Sequence, residues 1–226
     1  MTRTYGYAGN EAMAQYRAAI LSAGKLSYPD ADGALVAGIL TQEITAQMVT
    51  DGDMVNLQRE GQALAQAGGA FSAGDRLRAA VTTGKLVKAA ATATLDSTNA
   101  LSDLTFTAKP KYQGPEGDEI SVVLADPGTA NQPLAVSVLG KKITVSLKTG
   151  ADTGPIESTA AQVKAAVDAL PAAADLVSVT AEGAGSGVVE AIPETFLSGG
   201  MGAFCTALEA AAQDGDIVHV DLGGVS

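Results

Sequence analysis

One short element occurs twice in this chain, once in each terminal third. Asp51-Gly-Asp-Met-Val-Asn-Leu57 and Asp214-Gly-Asp-Ile-Val-His-Val220 share an Asp-Gly-Asp turn that launches a strand of alternating polarity. Ser72-Ala-Gly-Asp-Arg-Leu77 is a weaker third copy. Related turn-and-strand units so far apart in sequence place both ends of the chain in one domain. The intervening residues are then an insertion into it.

The pattern between the copies changes character accordingly. Val36–Leu40, Met54–Gln58, Arg76–Ala79 and Leu86–Ala89 are short apolar runs set off by Gly, Asp-Gly or Thr-Gly at spacings of about ten residues. That rhythm predicts a small β-barrel or sandwich. From about Leu104 to Ser198 the strands are joined by one well-punctuated helix. Leu134–Val138 and Ile143–Leu147 alternate around Leu-Gly-Lys-Lys and read as a β-hairpin. Ser158 or Thr159 caps the helix, Val163, Val167 and Leu170 form its apolar stripe, and Pro171 ends it. The expected fold is mainly β: a host domain of residues 35–103 and 200–226, interrupted by an inserted α+β domain at 104–199. The joints at Thr98–Asp103 and Ser198–Gly200 are polar and small, as tolerated insertion points are.

Residues 1–34 stand apart because they carry four of the five tyrosines, Tyr5, Tyr7, Tyr16 and Tyr28. Tyrosine offers large amphipathic area at low rotamer cost, which suits an arm that docks on a neighbouring chain. The same rings could equally cover the protein's own core. Asn10–Leu21 reads as a short helix capped by Asn10, with Met13, Tyr16 and Ile20 on one face.

Composition closes off several functions. Aromatics are only 4% of the 226 residues and Trp is absent, so the core must be built from Ala, Val, Leu and Ile. The net charge of −11 is shared, −5 on residues 104–199 and −6 on the rest, with no basic cluster of the kind nucleic-acid binding needs. No run approaches the length of a membrane-spanning helix, the opening residues lack the apolar run of a secretory signal, and a lone Cys205 excludes an intrachain disulfide. A reducing cytoplasm is therefore the expected site of synthesis. His219, the one histidine, alternates with Val218 and Val220 and is expected on the solvent side of a strand. Cys205 follows Phe204 in an apolar stretch and reads as a small buried hydrophobe. Gly183–Gly187, GAGSG, lacks the Lys-Ser/Thr of a phosphate loop and reads as a turn. The pairs Asp30/Asp32, Asp51/Asp53 and Asp214/Asp216 lack the further ligands of a calcium loop. No catalytic residue, metal or cofactor is expected.

Three segments of the host together resemble a known family. Phe71-Ser-Ala-Gly-Asp-Arg-Leu-Arg78, Thr83-Gly-Lys-Leu-Val-Lys-Ala-Ala90 and Met201–Leu222, MGAFCTALEAAAQDGDIVHVDL, are similar to the capsid cement, or head decoration, proteins of tailed bacteriophages. In that family the three motifs follow one another directly, whereas here the insertion separates the second from the third. The inserted segment resembles α+β modules found in other phage structural proteins, tail components among them. The resemblance implies a non-enzymatic virion protein, a homotrimer seated on the outer capsid surface and clamping major capsid protein subunits. A competing expectation is a displayed binding module whose insertion adheres to host-cell polysaccharide or protein through Phe106, Tyr112 or Phe196. A hydrolase using Glu116 with Asp118 or Glu119 is a third, disfavoured because these residues lie in a Gly/Pro-rich loop where carboxylates are solvated.

Overall fold

A computed structural model describes residues 4–99, 101–151 and 154–223. The chain divides into two compact units, residues 1–89 with 201–226, and residues 90–200. Both are mainly β, and no sheet among the described residues closes into a barrel.

The first unit holds two five-stranded sheets. One has the order β1-β5-β4-β2-β3 and contains β1 (Thr4–Ala8), β2 (Ala18–Ser22), β3 (Lys25–Ser27), β4 (Gly38–Leu40) and β5 (Met54–Gln58). The other, ordered β6-β17-β16-β7-β8, contains β6 (Gln62–Gln66), β7 (Arg76–Ala79), β8 (Leu86–Lys88), β16 (Ala203–Ala207) and β17 (Ile217–Asp221). A single helix, α1 (Ala46–Asp51), is capped by the Thr45 side chain and ends on Gly52 in the left-handed region, φ 73°. The two Asp-Gly-Asp copies thus launch β5 and β17, one strand in each sheet of the same unit. Backbone bonds tie the sheets together: Gln66 N–H donates to the Tyr16 carbonyl and Ala18 N–H to the Gly84 carbonyl.

Two expectations for the opening residues are corrected here. Residues 4–34 are not a separate arm, since β1 pairs with β5 over five residues and β2 pairs with both β3 and β4. Nor is Asn10–Leu21 helical. Met13 exchanges backbone bonds with Ile44, Tyr16 sits at φ 63°, and Ala18, Ala19 and Ile20 are all buried in succession. Three consecutive buried residues cannot lie on one helical stripe, but a strand enclosed on both faces accommodates them. Tertiary pairing overrides a helical preference that twelve residues could not sustain alone.

The second unit begins earlier than residue 104, because β9 (Thr92–Leu95) pairs antiparallel with β10 (Leu104–Ala108). Its three-stranded sheet is β14-β10-β9, with β14 (Val177–Ala181). Its four-stranded sheet is β12-β13-β11-β15, comprising β11 (Ser121–Ala125), β12 (Ala135–Leu139), β13 (Lys142–Ser146) and β15 (Ile192–Phe196). A 3-10 turn at Pro110–Tyr112 and the short α2 (Pro115–Asp118) precede β11. The helix α3 (Ala160–Ala169) opens with a capping box in which Thr159 and Gln162 bond each other's backbone N–H groups, and Pro171 starts a separate turn, α4 (Pro171–Ala174). Phe106, fully buried, joins a core of Leu, Ile and Val from both sheets together with Val163 and Val167 of α3.

Candidate contact surface

Most residues that could have carried chemistry are engaged structurally. Val218 and Val220 point into the core, which leaves His219 outward, where its backbone N–H and Nδ1 meet the Glu209 carboxylate. Those bonds, the backbone one foremost, hold Glu209 below the ordinary carboxylate range. Cys205 is buried beside the Leu77 carbonyl; loss of solvation, and secondarily the nearby Asp221 charge, push its thiol well up, which disfavours the nucleophilic thiolate. The glycine-rich loop has its own task. Gly185 and Gly187 carbonyls accept from Ala161 and Ala160 N–H, so they occupy the amide donors at the start of α3 that an anion would need.

In each acidic pair at least one member is engaged in the same way. Asp32 binds Arg78 at 2.6 Å, Asp214 binds Lys85 at 2.6 Å, Asp51 accepts from Gln47, and Asp216 accepts from the N–H groups of Ala212 and Gln213. Among the described residues no three His, Cys, Asp or Glu side chains converge as a metal site would require. In the 113–119 loop, Lys141 pairs with Glu119 and also donates to the Glu116 carbonyl, while Asp118 accepts from Gly200 N–H at 2.8 Å. These carboxylates brace a loop instead of facing each other across a cleft.

The first unit presents two well-exposed apolar side chains beside a groove of mixed polarity. Leu35 is 89% exposed and Met201 59%. Leu35, Val36 and half-buried Phe204 line a groove of about 380 Å³ whose rim carries Arg76 and Asp221. Met201 stands beside the same segment, because an added Cβ on Gly33 would come within 3.1 Å of the Met201 Cβ. A register shift between Ala203 and Cys205 in β16 turns Phe204 toward the groove while Cys205 faces the core. Exposed large apolar groups clustered around a concavity are the usual mark of a contact surface.

For the tyrosines the sequence leaves docking and self-coverage equally open, and it carries no sign of this groove. Tyr7 and Tyr28 pack partly buried against the first unit's own core, and the Tyr28 hydroxyl accepts from Ala14 N–H at 2.9 Å. Tyr16, half-buried, lines a separate cleft with Leu64 and His219; the side chain of Tyr5 lies outside the described residues. Leu35 and Met201 lie 166 positions apart in sequence, so no local pattern signals their proximity. In the second unit, Phe106 is fully buried and Tyr112 is half-buried with Lys111 and Lys141 ammonium groups 5.1 and 5.6 Å from its ring. Of the three aromatics weighed for sugar stacking, only Phe196 is exposed.

No family model, curated protein or solved structure matches the chain.

Proposed function

We propose that this chain is a structural virion protein that binds the outer surface of a phage head as a trimer and stabilises the capsid, with no catalytic role. One observation carries the reading. The three segments that resemble capsid cement proteins, split in sequence by more than a hundred residues, contribute adjacent strands of one sheet, β8-β7-β16-β17. Removing the insertion on paper leaves the order of motifs that the family has, and the surviving unit carries the Leu35, Met201 and Phe204 surface. The acidic, Ala-rich character of that unit fits a protein that gains stability from its partners.

Under this reading the groove contacts major capsid protein subunits. The test is cryo-electron microscopy of heads assembled without the protein and then incubated with it. Density over the capsid is expected with the natural chain. Occupancy should fall about tenfold for the double substitution Leu35→Ser and Met201→Ser, as loss of two exposed anchors predicts. Bare heads at saturating protein would overturn the proposal. A second reading, an adhesive displayed module, rests on exposed Phe196 in the inserted unit; binding of the isolated protein to host-cell polysaccharide, abolished by Phe196→Ala, would favour it.

A further inference from the structure

We infer that strand β12 of the inserted unit pairs edge to edge with β12 of a second copy of this chain. β12 and β15 are the two edges of the four-stranded sheet. β15 is protected against strand addition by Pro193, by exposed Glu194, and by a register shift opposite Val122–Leu124. In the neighbouring sheet, β9 is bridged at Thr92 by Ser198; α3 and α4 lie against both β14 and β12 and so do not distinguish those two strands. β12 has neither the proline, nor the charge, nor the register shift of β15. Its sequence, Ala-Val-Ser-Val-Leu, is uncharged and free of proline. It pairs with β13 in unbroken register, and among the described residues no backbone hydrogen bond reaches its other side.

The core is also open at this edge. On β13 the inward residues Ile143 and Val145 are fully buried, yet their partners Val138 and Val136 on β12 are only half-buried, and Leu139 is 85% exposed. A fifth strand would cover Val136 and Val138 and would set Leu139, on the outer face, beside an outward residue of the added strand. That strand belongs to a second copy because of charge. The chain carries −11, so two copies repel except where acid is absent. Residues 127–151, which contain β12, form its longest stretch without Asp or Glu. The lysines in that stretch are already neutralised within each copy, Lys141 by Glu119, Lys142 by Glu194 and Lys148 by Glu157. The edge is therefore a neutral seam on an acidic molecule.

Paired antiparallel about a two-fold axis, two β12 strands match over their full five residues only when centred on Ser137. Ala135 then faces Leu139, Val136 faces Val138, and Ser137 faces its counterpart. The contact is isologous and distinct from the first unit's groove, so it would link copies whether or not that groove binds a capsid.

The experiment is sedimentation equilibrium of the full chain from about 10 to about 500 µM, the range in which a small interface shows itself. Ser137 is exposed and faces away from the core, so Ser137→Lys and Ser137→Asp should both fold, which circular dichroism checks. Each substitution places like charges in register and should lower the weight-average mass reached by the natural chain. Mixing the two variants should restore it. A natural chain that stays monomeric across the range overturns the proposal. So does a mass that Ser137→Lys leaves unchanged, or one that mixing fails to restore.

Discussion

The two units are of similar size and both mainly β, yet they are stabilised differently. The second is organised around one core of 21 buried residues that includes Phe106 and only five alanines. The first divides its interior into two clusters, of 16 and 8 residues, and seven of the larger cluster's 16 are alanine. Alanine buries little area per residue. A unit built on it must draw on other sources of order: close backbone approach, left-handed turns, and clips such as the buried Asp75 carboxylate, which accepts from Ser72 N–H and pairs with Lys88. The comparison teaches that the inserted unit is stabilised by side-chain volume and the unit around it by backbone geometry. Each should fail by its own mechanism.

The largest effect should come from emptying the second unit's core. Phe106→Ala is expected to cost that unit about 3–5 kcal/mol, the range for a buried phenylalanine. Denaturant unfolding followed by circular dichroism should then show an early transition for residues 90–200 and an unmoved later one. A uniform shift of a single transition would contradict the division into independently stabilised units.

The first unit should be most sensitive where backbones meet. Gly84 has φ 62° and accepts from Ala18 N–H, and a Cβ there would lie 2.3 Å from the Ala18 carbonyl oxygen. This contact gives a physical reason for glycine in the Thr-Gly-Lys turn. Gly84→Ala should destabilise by about 1–3 kcal/mol from backbone strain alone, with more from the clash. The shift should appear in the first unit's transition and leave the second's in place. A neutral outcome would mean that the Ala18 segment can withdraw.

A smaller loss is expected at the capping box. Thr159→Ala removes the side-chain acceptor for Gln162 N–H and should cost the second unit about 1 kcal/mol. Thr159→Ser, which keeps the acceptor, should recover most of that in the same melting experiment.

Legibility followed the range of the interactions. The hairpin of β12 and β13, the capping box and the stop at Pro171 are local, and each appears where residues 134–171 predict it. The outward His219 and buried Cys205 follow from strand alternation alone. The parallel pairing of β11 with β13, by contrast, is fixed by the shared core and by no turn. Residues 10–21 have helical spacing, but Ile44, Leu40 and Gly84 claim their backbone groups from a distance. The Leu35 groove escaped for the same reason: exposure arises from what fails to cover a residue, and sequence records only neighbours along the chain.

The smallest predicted effect is in pH dependence, and it again separates the units. In the second, Glu194 accepts from Lys142 at 2.8 Å and from the buried Ser121 hydroxyl at 2.7 Å; these two bonds, Lys142 first, hold its carboxyl below the ordinary range. In the first, Glu209 is held low by His219. Folding therefore favours the ionised form of both. Their contribution is complete above the ordinary glutamate range and is lost as pH falls through the lowered folded values. Since both side chains are solvent-accessible, the loss is modest and salt-sensitive. Denaturant midpoints measured between about pH 6 and about pH 3 should fall for both transitions. Glu194→Gln should flatten only the second unit's decline, and Glu209→Gln only the first's. Should one substitution flatten both curves, the two units would be coupled in unfolding, and the contrast between volume-based and backbone-based stability would describe a single cooperative structure.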